Sequence, residues 1–292
     1  MRLYPLAVAA SILTCVSFSA CSSDDESDMP ESPQSDVKTV RITAVEYNPA
    51  PGQFVNEMPA YLPGMTREQM QAAALSAIQS GRGVSLGAFG GHIIMTLAEP
   101  IKHREDGKDF KVLGNAFRGS AEPGVVEVSA DGTQWYPLFG QYWVDAERDF
   151  NITYHRPEPD ASPEQYIRWT STSGWSGWMM RNPGFHTDHS YFPEWEDGTT
   201  TLTFNAIKLP KNWTIESATG NYFGIAWWGY ADSYPNNDDE AWLNLSNAVD
   251  ENNSRVSVDN IRYVKVTTGV INSNPVTGEC STEIMGIQIK ND

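Results

Sequence analysis

From Gly81 onward the chain is a succession of short β-favouring segments broken by Gly, Pro, Asn and Asp, with no amphipathic helix between them. Parallel strands need a long crossover connection, usually a helix, so this pattern confines the chain to antiparallel sheets. Segments 93–97, 110–113, 125–129, 135–138, 150–154, 166–169, 177–180, 201–207, 222–230, 261–267 and 283–289 read as strands, after a first one at 40–45. Asp131-Gly132 between two of them is a hairpin signal. The 10 Trp, 12 Tyr and 11 Phe beside 23 Gly and 18 Pro agree with strands and turns rather than a bundle. The expected fold is all-β, a β-sandwich or jelly roll with long loops at about 155–200 and 231–260.

One short helix precedes the strands. Thr66 is placed to cap it, Gln69 completes a capping box, Met70, Ala73, Ala74, Ala77 and Ile78 form its apolar stripe, and Gly81 ends it.

Arg2 followed by an apolar run from Leu3 to Phe18 is too short for a bilayer span and reads as a signal peptide over residues 1–20. Phe18-Ser19-Ala20-Cys21 resembles a bacterial lipobox, although Phe18 stands where Leu is usual. In that motif the Cys sulfur takes up a diacylglycerol, so Cys21 is the expected lipidation site. The rival is a plain secretory peptide cut near Ala20. Residues 21–36, with Asp24, Asp25, Glu26 and Asp28, hold too little apolar surface to fold and read as an acidic tether. Residues 37–292 then form a single domain. Cys15 leaves with the signal and Cys21 carries the lipid, so Cys280 is left without a partner and reads as a buried or inert thiol.

Charge excludes one class of partner. Twenty Lys and Arg against 37 Asp and Glu leave −17, a balance that repels a phosphate backbone, so nucleic acid is not expected. The same charge favours neutral ligands over anionic ones. Gly174-Trp175-Ser176-Gly177-Trp178 breaks the Gly-x-Ser-x-Gly pattern, and Gly87-Ala88-Phe89-Gly90-Gly91 lacks the Lys-Ser/Thr end of a phosphate loop. His186, Asp188 and His189 could hold zinc if they converged, but their setting after Pro183-Gly184 reads as a polar loop. Loops of a sandwich offer the oxygens that calcium needs, and Asp109, Asn115 and Glu283, all at strand ends, are the candidates for a structural calcium.

Aromatic side chains carry the main functional signal. Trp175, Trp178, Tyr191, Phe192 and Trp195 crowd one loop-rich stretch. Trp227, Trp228 and Tyr230 crowd another, which leads into Asp232, Tyr234 and Asn236. Rings on loops suit stacking on a sugar or a planar macrocycle, with Asp232 and Asn236 supplying hydrogen bonds. The same rings read equally as core filling.

Several strings together resemble a family. Val84 to Gly91, Asp109 to Phe117, Glu122 to Ser129, Arg181-Asn182, Ser190 to Trp195, Gly229-Tyr230-Ala231-Asp232 and Ile261 to Gly269 are similar to the "cell surface protein" lipoproteins of Bacteroidetes. The acidic run after Cys21 also looks like the signal that sends such lipoproteins to the outer face of the outer membrane, and reads equally as a solvated linker. Members are often encoded beside TonB-dependent transporters, some in settings linked to vitamin B12 uptake. The resemblance therefore implies a non-catalytic accessory that captures cobalamin or a glycan outside the cell and passes it to a transporter. The Asp-Phe and Val-Glu-Val-Ser-x-Asp-Gly strings also look like wider extracellular jelly-roll modules, from which Ser281-Thr282-Glu283-Ile284 departs. Two other readings stand beside it: a carbohydrate-active hydrolase or lyase using Glu194, Glu196 or Asp232, and a structural or adhesive surface protein.

Overall fold

The computed structural model describes residues 36–187 and 189–291. The signal peptide, Cys21 with nearly all of the acidic tether, and Asp188 therefore lie outside the described residues. From Asp36 onward the chain forms one compact unit.

In chain order the elements begin with β1 (Val37–Thr39), β2 (Ile42–Asn48), α1 (Arg67–Gln79), β3 (Val84–Ser85) and β4 (His92–Lys102). Next come β5 (Lys111–Leu113), β6 (Gly124–Ser129), β7 (Tyr136–Pro137), β8 (Glu147–His155), β9 (Ile167–Ser171) and β10 (Ser176–Met179). The rest are β11 (Thr201–Lys208), β12 (Trp213–Ile215), β13 (Tyr222–Gly224), β14 (Asn260–Thr268), β15 (Ser273–Asn274), β16 (Gly278–Glu279), β17 (Glu283–Ile284) and β18 (Gly286–Lys290). Every pairing is antiparallel. The protein is thus mostly strands, arranged in several sheets with little helix.

A five-stranded sheet of order β2-β4-β14-β6-β7 is the largest. Along β4, Ile93, Met95 and Leu97 are buried on one face while Ile94 and Thr96 alternate onto the other, the period-two signature of a strand. That buried face packs on α1 through Ala74, Ala77 and Ile78, and on Val112 and Ile287 of the three-stranded sheet β1-β18-β5. Each such Ile or Leu taken out of water contributes about 1.5–3 kcal/mol. A second core joins Phe150, Ile152 and Tyr154 of the four-stranded sheet β10-β9-β8-β11 to Phe89. The third gathers Trp143, Trp227 and Tyr230 around Val125 and Leu209.

The helix follows its sequence signals. The Thr66 hydroxyl accepts from the Gln69 N–H at 3.3 Å, the Gln69 side chain accepts from the Thr66 N–H at 2.8 Å, and Gly81 takes a positive φ of 70° after the last turn. Asp131-Gly132 does connect β6 to β7, with the Asp131 carboxylate accepting from the Thr133 and Gln134 N–H groups.

Three runs read as single strands are divided. The run 40–45 is a strand only from Ile42, where it pairs with β4; its first residue, Val40, still bonds Ile287 of β18, and the preceding residues 37–39 form a separate strand, β1, on β18. Around Met285 it passes from β17, paired with β3, to β18, paired with β1 and β5. The third, 222–230, is a strand only to Gly224: the Ile225 N–H bonds Asn212 O, Gly229 sits at φ 89°, and Trp227 and Tyr230 are buried from a loop. Burial alone drives hydrophobic content there, and a buried loop carries it as well as a strand does.

Candidate functional site

Asp232 occupies the left-handed region at φ 50°, immediately after Ala231, which exchanges hydrogen bonds with Gly124 at the start of β6. Its Oδ1 accepts from the N–H groups of Asn115 at 2.8 Å and Ala116 at 2.9 Å, and its Oδ2 accepts from the Glu283 N–H at 2.9 Å. A Cβ on Gly114 would lie 2.2 Å from that Oδ1, so glycine is required for the approach. Glu283 accepts from Ser281 Oγ at 2.9 Å and from the Asn115 side chain, and the Glu122 carboxyl is hydrogen-bonded to it.

Oxygens of Glu122, Asp232 and Glu283 thus lie within 4.8 Å of one another. No Lys or Arg is ion-paired to them among the described residues. Burial, followed by the neighbouring Glu283 carboxyl, pushes Glu122 and Asp232 well above the usual carboxylate range; burial also raises Glu283. Glu279 lies close by with one oxygen accepting from the Gln53 N–H at 2.9 Å and the other without a partner, and burial pushes it up to about 8. Beside it the Cys280 thiol is buried and pushed up to about 12, so it stays protonated and is not a nucleophile. Chemically, such a cluster either retains protons or surrounds a hard cation with oxygens.

Two of the three residues expected to bind calcium, Asn115 and Glu283, do come together here, joined by Glu122 and Asp232. Asp109 is elsewhere. Its buried carboxylate is occupied by the N–H groups of Arg104 and Leu245, both at 2.6 Å, and by His103 Nδ1 at 3.1 Å.

The aromatic residues do not form one cleft. Trp175 and Trp178 are exposed, at 68% and 42%, on the β9–β10 hairpin. Trp178 pairs with Arg168 and borders a cavity of about 550 Å³. Tyr191 is wholly buried, with its hydroxyl accepting from the Asn182 N–H at 2.9 Å and its ring 5.2 Å from Tyr166. Trp195 is half-buried against Tyr47 and Tyr61, and Trp228 is half-buried 6.0 Å from Phe139. Trp227 and Tyr230 are core residues of the third cluster, so their faces are not offered to a ligand. Asn236 spends its amide on both the N–H and the carbonyl of Gly114, at 3.0 and 2.8 Å.

His186 and His189 converge on Glu57, His186 Nδ1 at 2.9 Å and His189 Nε2 at 3.5 Å from the same oxygen. Asp188, the third residue of that stretch, lies outside the described residues.

A groove of about 910 Å³ lies where β6, β7 and β14 meet β8 and β11. Trp135 and Tyr136 line it together with Gln134, Arg148, Asp149 and Asn205. The Trp135 ring is braced edge-on by Tyr263 at 6.3 Å and by a 3.2 Å bond from its Nε1 to Gly132 O. Glu127 and Lys265, also in the groove, are ion-paired at 2.7 Å, and the Asp250 carboxylate accepts from the N–H groups of Asn252 and Ser254. Sequence reasoning placed Trp135 on a strand and missed this surface. The signal was its place just after the Asp131-Gly132 turn, where a ring is held at a sheet's rim.

No protein-family model matches this chain, and no curated protein matches it.

Proposed function

We propose that the chain is a non-catalytic binding module, a β-sandwich of jelly-roll type tethered to the outer surface of an outer membrane through Cys21, and that it holds a neutral or weakly charged glycan in the groove of Trp135 and Tyr136. The observation that carries the reading is the composition of that groove: braced rings next to an amide pair, Gln134 and Asn205, and to Arg148 and Asp149. Flat apolar faces stack on sugar rings, and planar polar groups around them satisfy hydroxyls. Catalysis is not needed. Two of the groove's carboxylates, Glu127 and Asp250, are already engaged by Lys265 and by backbone N–H groups. In this reading the module hands its ligand to a transporter in the same membrane.

The test is calorimetry of the full chain against a panel of soluble oligosaccharides and against cobalamins. Binding of an oligosaccharide that Trp135→Ala abolishes, with thermal unfolding unchanged, supports the assignment. Heat with cobalamin alone, or with no member of the panel, overturns it.

A further inference from the structure

The groove for a neutral ligand is not the only concave surface, and the second one carries the opposite chemistry from the chain as a whole. Where β1 passes into β2, alongside the end of β4 and β18, a cavity of about 820 Å³ opens. Lys38, Arg41, Lys102, Arg104 and Lys290 line it, five of the 20 Lys and Arg in a chain of net charge −17. Composition does not produce such a concentration; the fold assembles it, because the sheet switch at Val40-Arg41 carries Lys38 and Arg41 to the edges of two different sheets.

Acidic groups offset only part of this charge. Asp109 is buried and occupied by N–H donors, as described above. Asp106, adjoining the groove, pairs with Lys290 at 2.5 Å and with Arg104 at 3.4 Å. Glu99 is the remaining acid in the lining. Arg41 and Lys102 are exposed and make no ion pair among the described residues. Between the cations run half-buried Val40, Pro100 and Ile289 and buried Ile101, an apolar floor under a charged rim. Ammonium groups as point charges and a guanidinium fork together suit a multiply charged oxyanion, and phosphate is the common group that presents several such oxygens at once.

We infer that this cavity is a binding site for a phosphate-bearing ligand whose remaining part is apolar enough to cover Val40 and Ile289. The site goes beyond the glycan reading and does not depend on it.

The experiment uses the full chain carrying Cys21→Ser, so that no acyl group contributes. It is titrated calorimetrically at low ionic strength with inorganic pyrophosphate, and sedimented with vesicles of phosphatidylglycerol or of phosphatidylcholine. Binding of pyrophosphate or of phosphatidylglycerol vesicles, weakened at least about tenfold in Arg41→Ala/Lys102→Ala, is the expected result; that factor corresponds to about 1.4 kcal/mol, a modest toll for losing charge-assisted contacts. Capture of the phosphatidylglycerol vesicles but not of phosphatidylcholine names a lipid headgroup as the source, and pyrophosphate binding alone names a soluble phosphorylated compound. Unaltered thermal unfolding of the double variant shows that it folds. Lys211→Ala, whose ammonium lies over Trp213 away from the groove, is the control and keeps full binding. An equal loss in that control, an unchanged affinity in the double variant, or no binding of either probe overturns the inference. Trp135→Ala leaves this binding intact, so failure here is distinguishable from failure of the glycan site.

Discussion

Asp232 and Glu283 are held together by a backbone bond, the Glu283 N–H donating to Asp232 Oδ2 at 2.9 Å, while their carboxyls share one buried cluster with Glu122. The contact joins a loop to the start of β17 and places like charges side by side in the interior. Its cost is avoided while the acids keep protons, and this makes the fold sensitive to pH.

The sign follows from the direction of the shifts. A carboxyl raised in the folded state binds a proton more tightly there than in the unfolded chain, so its contribution is complete below the unfolded value and is lost as pH rises through the folded one. For Glu279 that window runs from about 4.5 to about 8. The melting temperature is therefore expected to fall between pH 5 and pH 8, and Glu279→Gln to flatten that fall, as measured by calorimetric scans in matched buffers. A melting temperature that rises over the window would contradict the assignment.

Gly114→Ala is expected to destabilise the protein by about 1–3 kcal/mol, the usual toll of forcing atoms into a packed site, because its Cβ would meet Asp232 Oδ1 at 2.2 Å. Asp232→Ala removes the acceptor of three backbone N–H groups and should cost more, at least about 3 kcal/mol. Urea denaturation of both variants measures the difference.

The two tryptophan groups should behave oppositely in the same assay. Trp227→Ala opens a cavity in the third core and is expected to cost about 3–5 kcal/mol. Trp175→Ala, at 68% exposure on a hairpin, should stay within about 0.5 kcal/mol of the parent.

Cys280 should resist a thiol reagent in the native protein. In a chain with Cys15→Ser and Cys21→Ser, the remaining thiol is buried and protonated, so labelling is expected only once denaturant exposes it. Rapid labelling without denaturant would contradict the buried placement.

Local signals made much of this architecture readable. The capping box at Thr66, the alternation along β4 and the turn at Asp131-Gly132 depend on residues a few positions apart, and each forms as its pattern indicates. What pattern alone does not carry is partnership over distance. Nothing in the run 40–45 says that its first part joins β18 and its second β4, and nothing around Asp232 announces a bond to Glu283. The polar strand-end residues Asn115 and Glu283 were legible as members of a cluster, whereas Glu122 and Asp232 enter it through the tertiary path of the chain. Aromatic content was legible too, but not exposure: Trp227 and Trp175 sit in similar Gly-rich surroundings, and only packing decides that one fills a core and the other faces water.

The order of the three-stranded sheet has a consequence for how the protein is made. Its central strand, β18, pairs with β1 on one side and β5 on the other, and lies furthest along the described chain. Synthesis delivers residues 37–39 and 111–113 long before 286–290, so both flanking edges wait unpaired until the strand between them arrives. The three-stranded sheet is therefore completed only once residues 286–290 have been made.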